Sequence, residues 1–401
     1  MLRTIPVVKA FHKYRLFKIR LLKKKINIVF FVYEISIWKL DDLLSRLQKD
    51  DRFDVFVVIC PNIYYPTGKR ESVADETYNY FSLKGVTVKH GYDFLKNQMI
   101  DIKKLIDPDV IFFTNPYDLT YQNLLIENFY DRLTCYVPYG MMLADINQSQ
   151  YNLPFHNFLW KHFVETDVHR EMSESISEIK GSNVVVSGYP SFDEMSKIEK
   201  RSKKNQKKII IWAPHHTIEK NLVHGLNLSN FIELKDKMLE LSLIYKDSIE
   251  IVFKPHPLLK NKLESLAGWT NEEVNSYYES WNRKDNRRLE EGSYLDLFME
   301  SDAMILDSVS FMAEYLYTGK PIIFTEKLKS PQFNKFGELV YSHLYKAKNF
   351  DQISEFIRRV VLNNEDELHD NRNIFFEKYL LSPDVKGASH FIYQYLCKSL
   401  F

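Results

Sequence analysis

Continuous apolar runs of strand length, separated by segments with helical periodicity, constrain the fold of this chain more than any other feature. Six such runs occupy the first half: INIVFFVY (26–33), FDVFVVIC (53–60), VTVKH (86–90), DVIFFTN (109–115), RLTCYVPYG (132–140) and NVVVSGYP (183–190). Helical periodicity between them is clearest at 35–47 and 121–129. Strands without polar alternation are buried on both faces, so the pattern predicts an α/β protein with a parallel sheet covered by helices.

The same pattern restarts after a polar, basic stretch at 203–208, and 401 residues exceed what one ordinary core holds. Further strands are predicted at 208–214, 248–257, 303–308 and 321–325, with helices at 231–245, 293–300 and 311–318. The polar segment 264–291 is predicted to be an insertion or a mobile loop. We therefore predict two doubly wound, Rossmann-like domains facing across a cleft, with ligands beyond the carboxyl ends of the strands.

The predicted divisions are a basic amphipathic leader (1–25), an N-terminal acceptor-side domain (26–195), a C-terminal nucleotide-donor domain (196–385) and a closing helix (386–401). The leader holds nine Lys or Arg residues and no acidic residue, whereas the remainder has 54 − 9 = 45 basic against 53 acidic residues. Its apolar residues recur at helical spacing. This combination predicts a helix on an anionic membrane surface. The alternative is a helix that packs on the body of the protein.

Properties of the whole chain narrow its class. A net charge of +1 gives no strong attraction to nucleic acid. No window approaches the roughly 20 apolar residues of a membrane-spanning helix, and no secretory signal is recognisable. Cys60, Cys135 and Cys397 form neither a disulfide framework nor a zinc-binding spacing. The sequence therefore predicts a cytoplasmic protein, peripheral on the inner face of the plasma membrane.

Polar residues follow four predicted strands of the second half: WAPHHT (212–217), FKPHP (253–257), DSVS (307–310) and TE (325–326). Parallel strands bring such ends to one edge of a sheet. The candidate donor-site residues there are Lys254, His256, His215, His216, Asp307, Ser308, Ser310 and Glu314. Hydroxyls, a lysine and the amides of a following helix all suit an anion. A helix N-cap at the serines and a structural histidine at His256 are the alternatives.

Other kinds of site are not indicated. No glycine-rich phosphate loop, HExxH or paired-cysteine pattern occurs, and no Asp-x-Asp lies at the end of a predicted strand, so no metal site is predicted. His215 and His216 are metal-ligand types, but neighbouring residues of a strand point to opposite faces. We therefore expect one histidine to face the substrate and the other to be packed.

With these motifs, the second half resembles the CDP-glycerol glycerophosphotransferase family, which comprises teichoic-acid polymerases and primases with the GT-B fold. The resemblance rests on 212–217, 253–257, 294–324 and, between the domains, 184–195. It implies a CDP-alditol donor, no tightly bound cofactor or metal, a glycan or lipid-linked acceptor, and association with the inner membrane surface. His256 would contact the donor pyrophosphate and assist departure of CMP. Ser308 and Ser310 would hold the phosphates, and Glu314 would lie near the ribose or cytosine.

The sequence departs from the family at the proposed base. The family has a Trp-His-Gly-Thr type of motif after a first-domain strand, and here the corresponding residues are 136–141, with Gly140 in place but Tyr139 instead of His. Either Tyr139 fills the pocket of the missing histidine, or a neighbour such as Asp118 or Asp145 acts as the base on the acceptor side. Asp118 is equally explained as a turn residue.

Two other functions remain open. The same half-motifs occur in GT-B glycosyltransferases that use a CMP- or UDP-sugar for capsule or lipopolysaccharide synthesis. The missing first-domain histidine is also compatible with a non-catalytic GT-B-like binding module.

Overall fold

The computed structural model describes residues 3–22, 25–198, 207–218, 228–282, 284–327 and 332–401. Most of the predicted polar stretch at 203–208, namely 203–206, lies outside these ranges, as do residues 1, 2, 23 and 24 of the leader. The chain forms two compact units. Unit 1 comprises Met1–Met142, Ile146–Glu194 and Leu381–Phe401, and unit 2 comprises Leu143–Asp145 and Met195–Leu380.

Unit 1 is built on a seven-stranded sheet in which all neighbouring strands are parallel. In chain order, with a separate short hairpin of β4 and β5, its strands are β1 (Ile26–Val32), β2 (Phe53–Ile59), β3 (Thr87–His90), β4 (Tyr92–Asp93), β5 (Gln98–Met99), β6 (Val110–Phe113), β7 (Leu133–Tyr136), β8 (Lys161–Val164) and β9 (Val184–Val186). The order across the sheet is β3-β2-β1-β6-β7-β8-β9. The strand order therefore reverses between β1 and β6.

Helices cover both faces of this sheet. They are α1 (Ile5–Leu22), α2 (Asp41–Gln48), α3 (Thr67–Leu83), α4 (Ile102–Leu105), α5 (Asn147–Tyr151), α6 (Pro154–Phe158), α7 (Asp167–Ile176) and α8 (Ser191–Lys197), which runs into unit 2. Short 3₁₀ turns occupy Ile35–Ile37, Gln122–Leu124 and Ile126–Phe129. Alternate residues of β1 enter two different apolar clusters, with Phe30 in one and Phe31 in the other. This alternation confirms that the strand is buried on both faces.

The N-terminal helix α1 is a part of unit 1. Val8 and Ile19 are buried, and the buried guanidinium of Arg15 donates to the Asp109 carboxylate at 2.6 Å. Arg20 donates two hydrogen bonds, of 3.0 and 2.7 Å, to the carbonyl of Ser399 near the end of the last helix. One face of the basic leader therefore packs on the body, as the alternative reading predicted.

Unit 2 contains a six-stranded parallel sheet. Its strands are β10 (Lys208–Ala213), β11 (Ile249–Phe253), β12 (Arg287–Leu289), β13 (Ala303–Leu306), β14 (Ile322–Thr325) and β15 (Tyr345–Ala347). Their order is β12-β11-β10-β13-β14-β15. This is the 3-2-1-4-5-6 order of a Rossmann fold, and it reverses between β10 and β13.

The helices of unit 2 are α9 (Phe231–Ile244), α10 (Leu259–Glu264), α11 (Asn271–Ser280), α12 (Leu295–Glu300), α13 (Ser310–Leu316), α14 (Lys335–Ser342), α15 (Phe350–Phe356) and α16 (His369–Phe375). The last two continue as π-helical turns at Ile357–Leu362 and Phe376–Leu380. The chain then returns to unit 1, where α17 (Ala388–Leu400) buries Ile392, Leu396 and Leu400. Among the described helices, none combines the length and the apolar character needed to cross a bilayer.

Two predictions about elements were wrong. The segment 264–291 is not a mobile loop. Helix α11 begins at a complete capping box on Thr270 and Glu273, and both its Val274 and the following Trp281 are buried in the core. The segment 121–129 forms only 3₁₀ turns rather than an α-helix. The strands β8, β12 and β15 were not predicted.

Candidate functional site

The predicted donor residues follow β10, β11 and β13, and β10 and β13 are the two strands between which the order of unit 2 reverses. Ligands of open parallel sheets bind at such a reversal, because the two flanking loops diverge there and leave a crevice. His215 and His216 follow β10, His256 follows β11, and Ser308 follows β13. The topology therefore places these residues at the expected ligand edge of unit 2.

His215, His216 and His256, which we call the three-histidine cluster, have their rings packed together. The ring centroids lie 4.1 Å apart for His215 and His216, 4.1 Å for His216 and His256, and 5.1 Å for His215 and His256. The prediction that His215 and His216 point to opposite faces was therefore wrong. Strand alternation does not apply to them, since β10 ends at Ala213 and Pro214 starts a loop.

Backbone hydrogen bonds hold the loops of this cluster in place. The N–H of His256 donates to the carbonyl of Pro214 at 3.1 Å, which joins the loops after β10 and β11. Asp307 accepts from the backbone N–H groups of His215 and Asn230, each at 2.6 Å, through its two carboxylate oxygens. Asp307 is buried, and both of its oxygens serve these loops. It therefore positions the loops of the cluster through both of its carboxylate oxygens.

Burial sets the charge of these groups. It lowers the pKa of His256 to about 3, with a smaller effect from His216, and it lowers the pKa of His215 further below its usual range. It also raises the pKa of Asp307 to about 7. The two histidines are consequently neutral near pH 7, when the site holds no anion. A neutral imidazole still carries one N–H group, which can donate a hydrogen bond to a phosphate oxygen.

Of the remaining donor-side residues, Lys254, Ser308 and Glu314 are buried. The ammonium of buried Lys254 donates to the carbonyl of Gly292 at 2.6 Å, and the Glu314 carboxylate, also buried, accepts from the hydroxyl of Tyr294. Ser308 and Ser310 share a hydrogen bond of 3.2 Å, and Ser310, at the start of α13, is exposed. Neither serine side chain caps α13, whose N-cap is Val309.

The acceptor-side residues of unit 1 follow β6 and β7, close to the other strand-order reversal. The side chains of Tyr139 and Tyr117 interact, which links the two loops. Burial raises the pKa of Tyr139, so its phenolate is not accessible near neutral pH. Asp118 is exposed, and Gly140 has open space around the position of a Cβ atom.

Asp145, predicted on the acceptor-side domain, belongs to unit 2 instead. Its neighbour Ala144 forms an antiparallel bridge with Phe333, and the N–H of Asp145 donates to the carbonyl of Gln332 at 3.0 Å. The short segment Leu143–Asp145 thus leaves the first unit although residues on both sides remain in it. Nothing in the local sequence indicates this excursion.

Sequence reasoning missed a buried polar pair at the end of β8. Glu165 lies 3.8 Å from Nδ1 of His169, and both side chains are inaccessible to solvent. Burial raises the pKa of Glu165 to about 8. The ring of His169 contacts the hydroxyl of Thr166 at 2.8 Å and the carbonyl of Met142 at 3.3 Å, which fixes the end of the loop after β7. A glutamate directly after a strand was the available signal, but β8 itself had not been recognised.

The three-histidine cluster also has the ligand types of a metal site. One nitrogen from each ring lies within 4.8 Å of the other two. Among the described residues, this is the group of three side chains close enough together to bind one metal ion. Histidine suits zinc, copper and nickel. Distances alone do not distinguish a metal site from a set of hydrogen-bond donors.

Two Rossmann-like units with a phosphate-suited strand edge in the second define a protein of the GT-B fold class. The chain belongs to the family of CDP-Glycerol:Poly(glycerophosphate) glycerophosphotransferases, whose model matches residues 144–395, more than half of its length. The resemblance seen in the sequence is confirmed, and the chain is a CDP-glycerol glycerophosphotransferase-like transferase. No curated protein matches it in sequence.

Solved structures agree on the fold. The wall teichoic acid polymerase TagF has a TM-score of 0.58 at 13% identity, covering 100% of this chain and 96% of that one. UDP-GlcNAc 2-epimerase from Neisseria meningitidis, bound to UDP-GlcNAc, has a TM-score of 0.57 at 16% identity, covering 93% and 100%. The S. aureus MnaA–UDP structure has a TM-score of 0.57 at 17% identity, covering 94% and 98%. At such identities the likeness shows the two-domain α/β fold and not the substrate.

Proposed function

We propose that this transferase moves glycerol phosphate or ribitol phosphate from a CDP-alditol to a hydroxyl of a cell-surface glycan or its lipid-linked precursor, with release of CMP. The observation that carries the proposal is the three-histidine cluster at the strand-order reversal of unit 2. The family match supports the same type of donor. A pyrophosphate is the part of a CDP-alditol that such a cluster suits.

The proposed reaction is a phosphoryl transfer. The acceptor oxygen bonds to the β-phosphorus of the donor, and the bond from that phosphorus to the bridging oxygen of CMP breaks. The electron pair of that bond leaves with CMP, and the proton of the acceptor hydroxyl goes to a base. A phosphate monoester has its second pKa near 6. CMP therefore needs hydrogen-bond donors for its developing charge rather than a strong acid, and neutral imidazoles supply them.

We assign residues to roles on their chemistry and exposure. His256, with His215 and His216, contacts the pyrophosphate, and Ser310 with Ser308 adds hydroxyl donors. Asp118 is the proposed base, because it is an exposed carboxylate after β6, whereas the raised pKa of Tyr139 argues against that group. Lys254 and Glu314 hold neighbouring segments of the site through their hydrogen bonds to Gly292 and Tyr294. The proposed reaction needs no tightly bound cofactor or metal.

The test is turnover by the full chain with CDP-glycerol, CDP-ribitol, CMP-sugars and UDP-sugars. We expect CMP release from a CDP-alditol and phosphorus-31 resonances of a phosphodiester in the product. His256→Ala should lower kcat/KM by about a hundredfold or more, as expected for loss of one transition-state hydrogen-bond donor. His369→Ala is the matched control, since His369 is exposed on α16 of the same unit.

The alternatives give different results. A product without phosphorus, formed from a CMP- or UDP-sugar, would establish a glycosyltransferase. No turnover with any of these donors, together with full binding by His256→Ala, would indicate a non-catalytic module.

We further propose that unit 1 works at the inner face of the plasma membrane through α1. The exposed apolar residues of this helix include Val7, Phe11, Tyr14 and Leu21, spaced so that they lie above one another on one side. Phe17 beside them is 63% exposed and extends the same apolar surface. The sequence adds basic residues that suit anionic headgroups.

A further inference from the structure

His256 has its proton position fixed by its own loop. Its Nδ1 atom lies 3.1 Å from the backbone nitrogen of Leu258, whose N–H donates to it. A backbone amide can only donate, so Nδ1 must be the unprotonated, accepting nitrogen of the ring. Neutral imidazole carries one proton, and that proton is therefore on Nε2.

His215 is fixed in the same way by Thr217. Its Nδ1 lies 2.9 Å from the Thr217 hydroxyl and 3.3 Å from the Thr217 backbone nitrogen. The same hydroxyl oxygen already accepts from the N–H of Leu228 at 2.9 Å, which leaves its proton to donate to the ring. With a backbone amide and a hydroxyl both directed at Nδ1, the proton of His215 is also on Nε2.

This arrangement is opposite to that of a metal-binding histidine. A metal ion takes the lone pair of one ring nitrogen, and the other nitrogen usually donates its N–H to an acceptor. Here the other nitrogen of both rings faces donors, so metal binding at Nε2 would require an imidazolate or the loss of these hydrogen bonds. A phosphoryl oxygen accepts from Nε2–H without either change.

We propose that Thr217 is a positioning residue that, together with the Leu258 amide, holds His215 and His256 as Nε2–H donors, so that the three-histidine cluster takes a phosphate oxygen and not a transition-metal ion. Only the identity of that phosphate, as the pyrophosphate of a CDP-alditol, rests on the function proposed above. Burial keeps both rings neutral, as their lowered pKa values indicate, so the donors persist throughout the neutral pH range.

The proton positions are measured directly by nitrogen-15 NMR of the full chain labelled at histidine, with resonances assigned by their loss in His215→Gln and His256→Gln. We expect an unprotonated Nδ1 and a protonated Nε2 for both rings. Thr217→Val keeps the shape but loses the hydroxyl, which leaves only the longer bond from the backbone N–H of residue 217 at 3.3 Å. It should therefore raise the fraction of His215 protonated at Nδ1 and leave His256 unchanged. Thr217→Ser keeps the hydroxyl and should restore the wild-type spectrum. Protonation of Nδ1 in either wild-type ring would overturn the proposal.

Ligand choice is tested with two probes that do not require the donor, inorganic pyrophosphate and Co²⁺. Pyrophosphate should bind, and Thr217→Val should weaken it about tenfold, the loss expected for one disturbed hydrogen bond, while Thr217→Ser remains near wild type. A stoichiometric Co²⁺ complex with a tetrahedral absorption spectrum, abolished by His216→Ala, would contradict the proposal. If these results hold but no CDP-alditol is turned over, the proposed function fails and the assignment of the cluster stands.

Discussion

At the residue scale, Glu165 couples the stability of unit 1 to pH. Burial raises its pKa from 4.5 to about 8, which outweighs the opposite effect of hydrogen bonds from its own backbone N–H and from that of Met142. Tyr136 and Tyr151 are near enough to feel its charge, and His169 lies beside it. The folded protein therefore holds the proton between pH 4.5 and 8, whereas the unfolded chain has released it.

We predict that Glu165→Gln removes this dependence. Because the folded pKa is the higher one, stability from this group is fully present below pH 4.5 and is lost as the pH rises through about 8. The loss amounts to at most about 1.4 kcal/mol per pH unit. Relative to wild type, Glu165→Gln should become progressively more stable from pH 5 to pH 8.5 in thermal melts that follow unit 1. Glu178→Gln changes an exposed glutamate of the same unit and serves as the control. A stability difference that is equal at all pH values would refute the prediction.

The kinds of residue at the donor site could be predicted from the sequence, but their orientations could not. His215, His216 and His256 follow predicted strands, so their convergence on one sheet edge follows from parallel topology. The directions of their rings depend on loop hydrogen bonds such as those to Asp307, which join residues about ninety positions apart. For the same reason the scaffold role of Asp307 was not visible in the sequence.

At the element scale, α1 has one face that packs on unit 1 and another that is exposed and apolar. We predict that Phe11→Ser with Phe17→Ser weakens binding to vesicles of phosphatidylglycerol and phosphatidylcholine by about tenfold for each phenylalanine, because each contributes apolar area to the bilayer interface. Binding should also weaken as salt is added, since exposed charges are screened.

The matched control for this experiment is Leu243→Ser with Ile244→Ser, which removes two exposed apolar side chains from α9 of unit 2. If wild type and both variants bind the vesicles equally, or none binds them, α1 has no role at a membrane.

The long strands β1 and β2 could be predicted because their apolar residues follow one another without the polar interruptions of an amphipathic helix. The strands β12 and β15 have only three residues each and include Arg or Lys, so no period is visible. Helix α11 was missed because it buries only three of its ten residues, and the remainder read as a polar loop. Tertiary packing on Trp281, not local propensity, decides its structure.

At the scale of the whole molecule, unit 1 is discontinuous and depends on α17. Ile392, Leu396 and Leu400 are fully buried in the same cluster as β1, and Asp193 accepts from the backbone N–H groups of Ala388 and Ser389 at 2.9 and 2.7 Å. Deletion of residues 388–401 removes three core side chains, each worth about 2–5 kcal/mol. We predict loss of hydrogen-exchange protection throughout unit 1 but not in the sheet of unit 2.

Deletion of Phe401 alone is the control, because this residue is 52% exposed. Continued protection of β1 and β6 after the longer deletion would show that unit 1 does not require α17. The sequence predicts a closing helix but not the unit that it closes. Contacts of α17 such as those of Ser399 with Arg20 and of Tyr393 with Asp50 join residues more than three hundred positions apart in the chain.

Arg20 in the first helix of unit 1 is hydrogen-bonded to Ser399 in the last, so these bonds form only after nearly the whole chain has been synthesised. All residues of unit 2 precede Leu381 and leave the ribosome before the last segment of unit 1. Unit 1 therefore begins first and is completed last, with its sheet lacking α17 while about half of the chain is synthesised. During that interval the apolar faces that α17 later covers are available to chaperones or to aggregation.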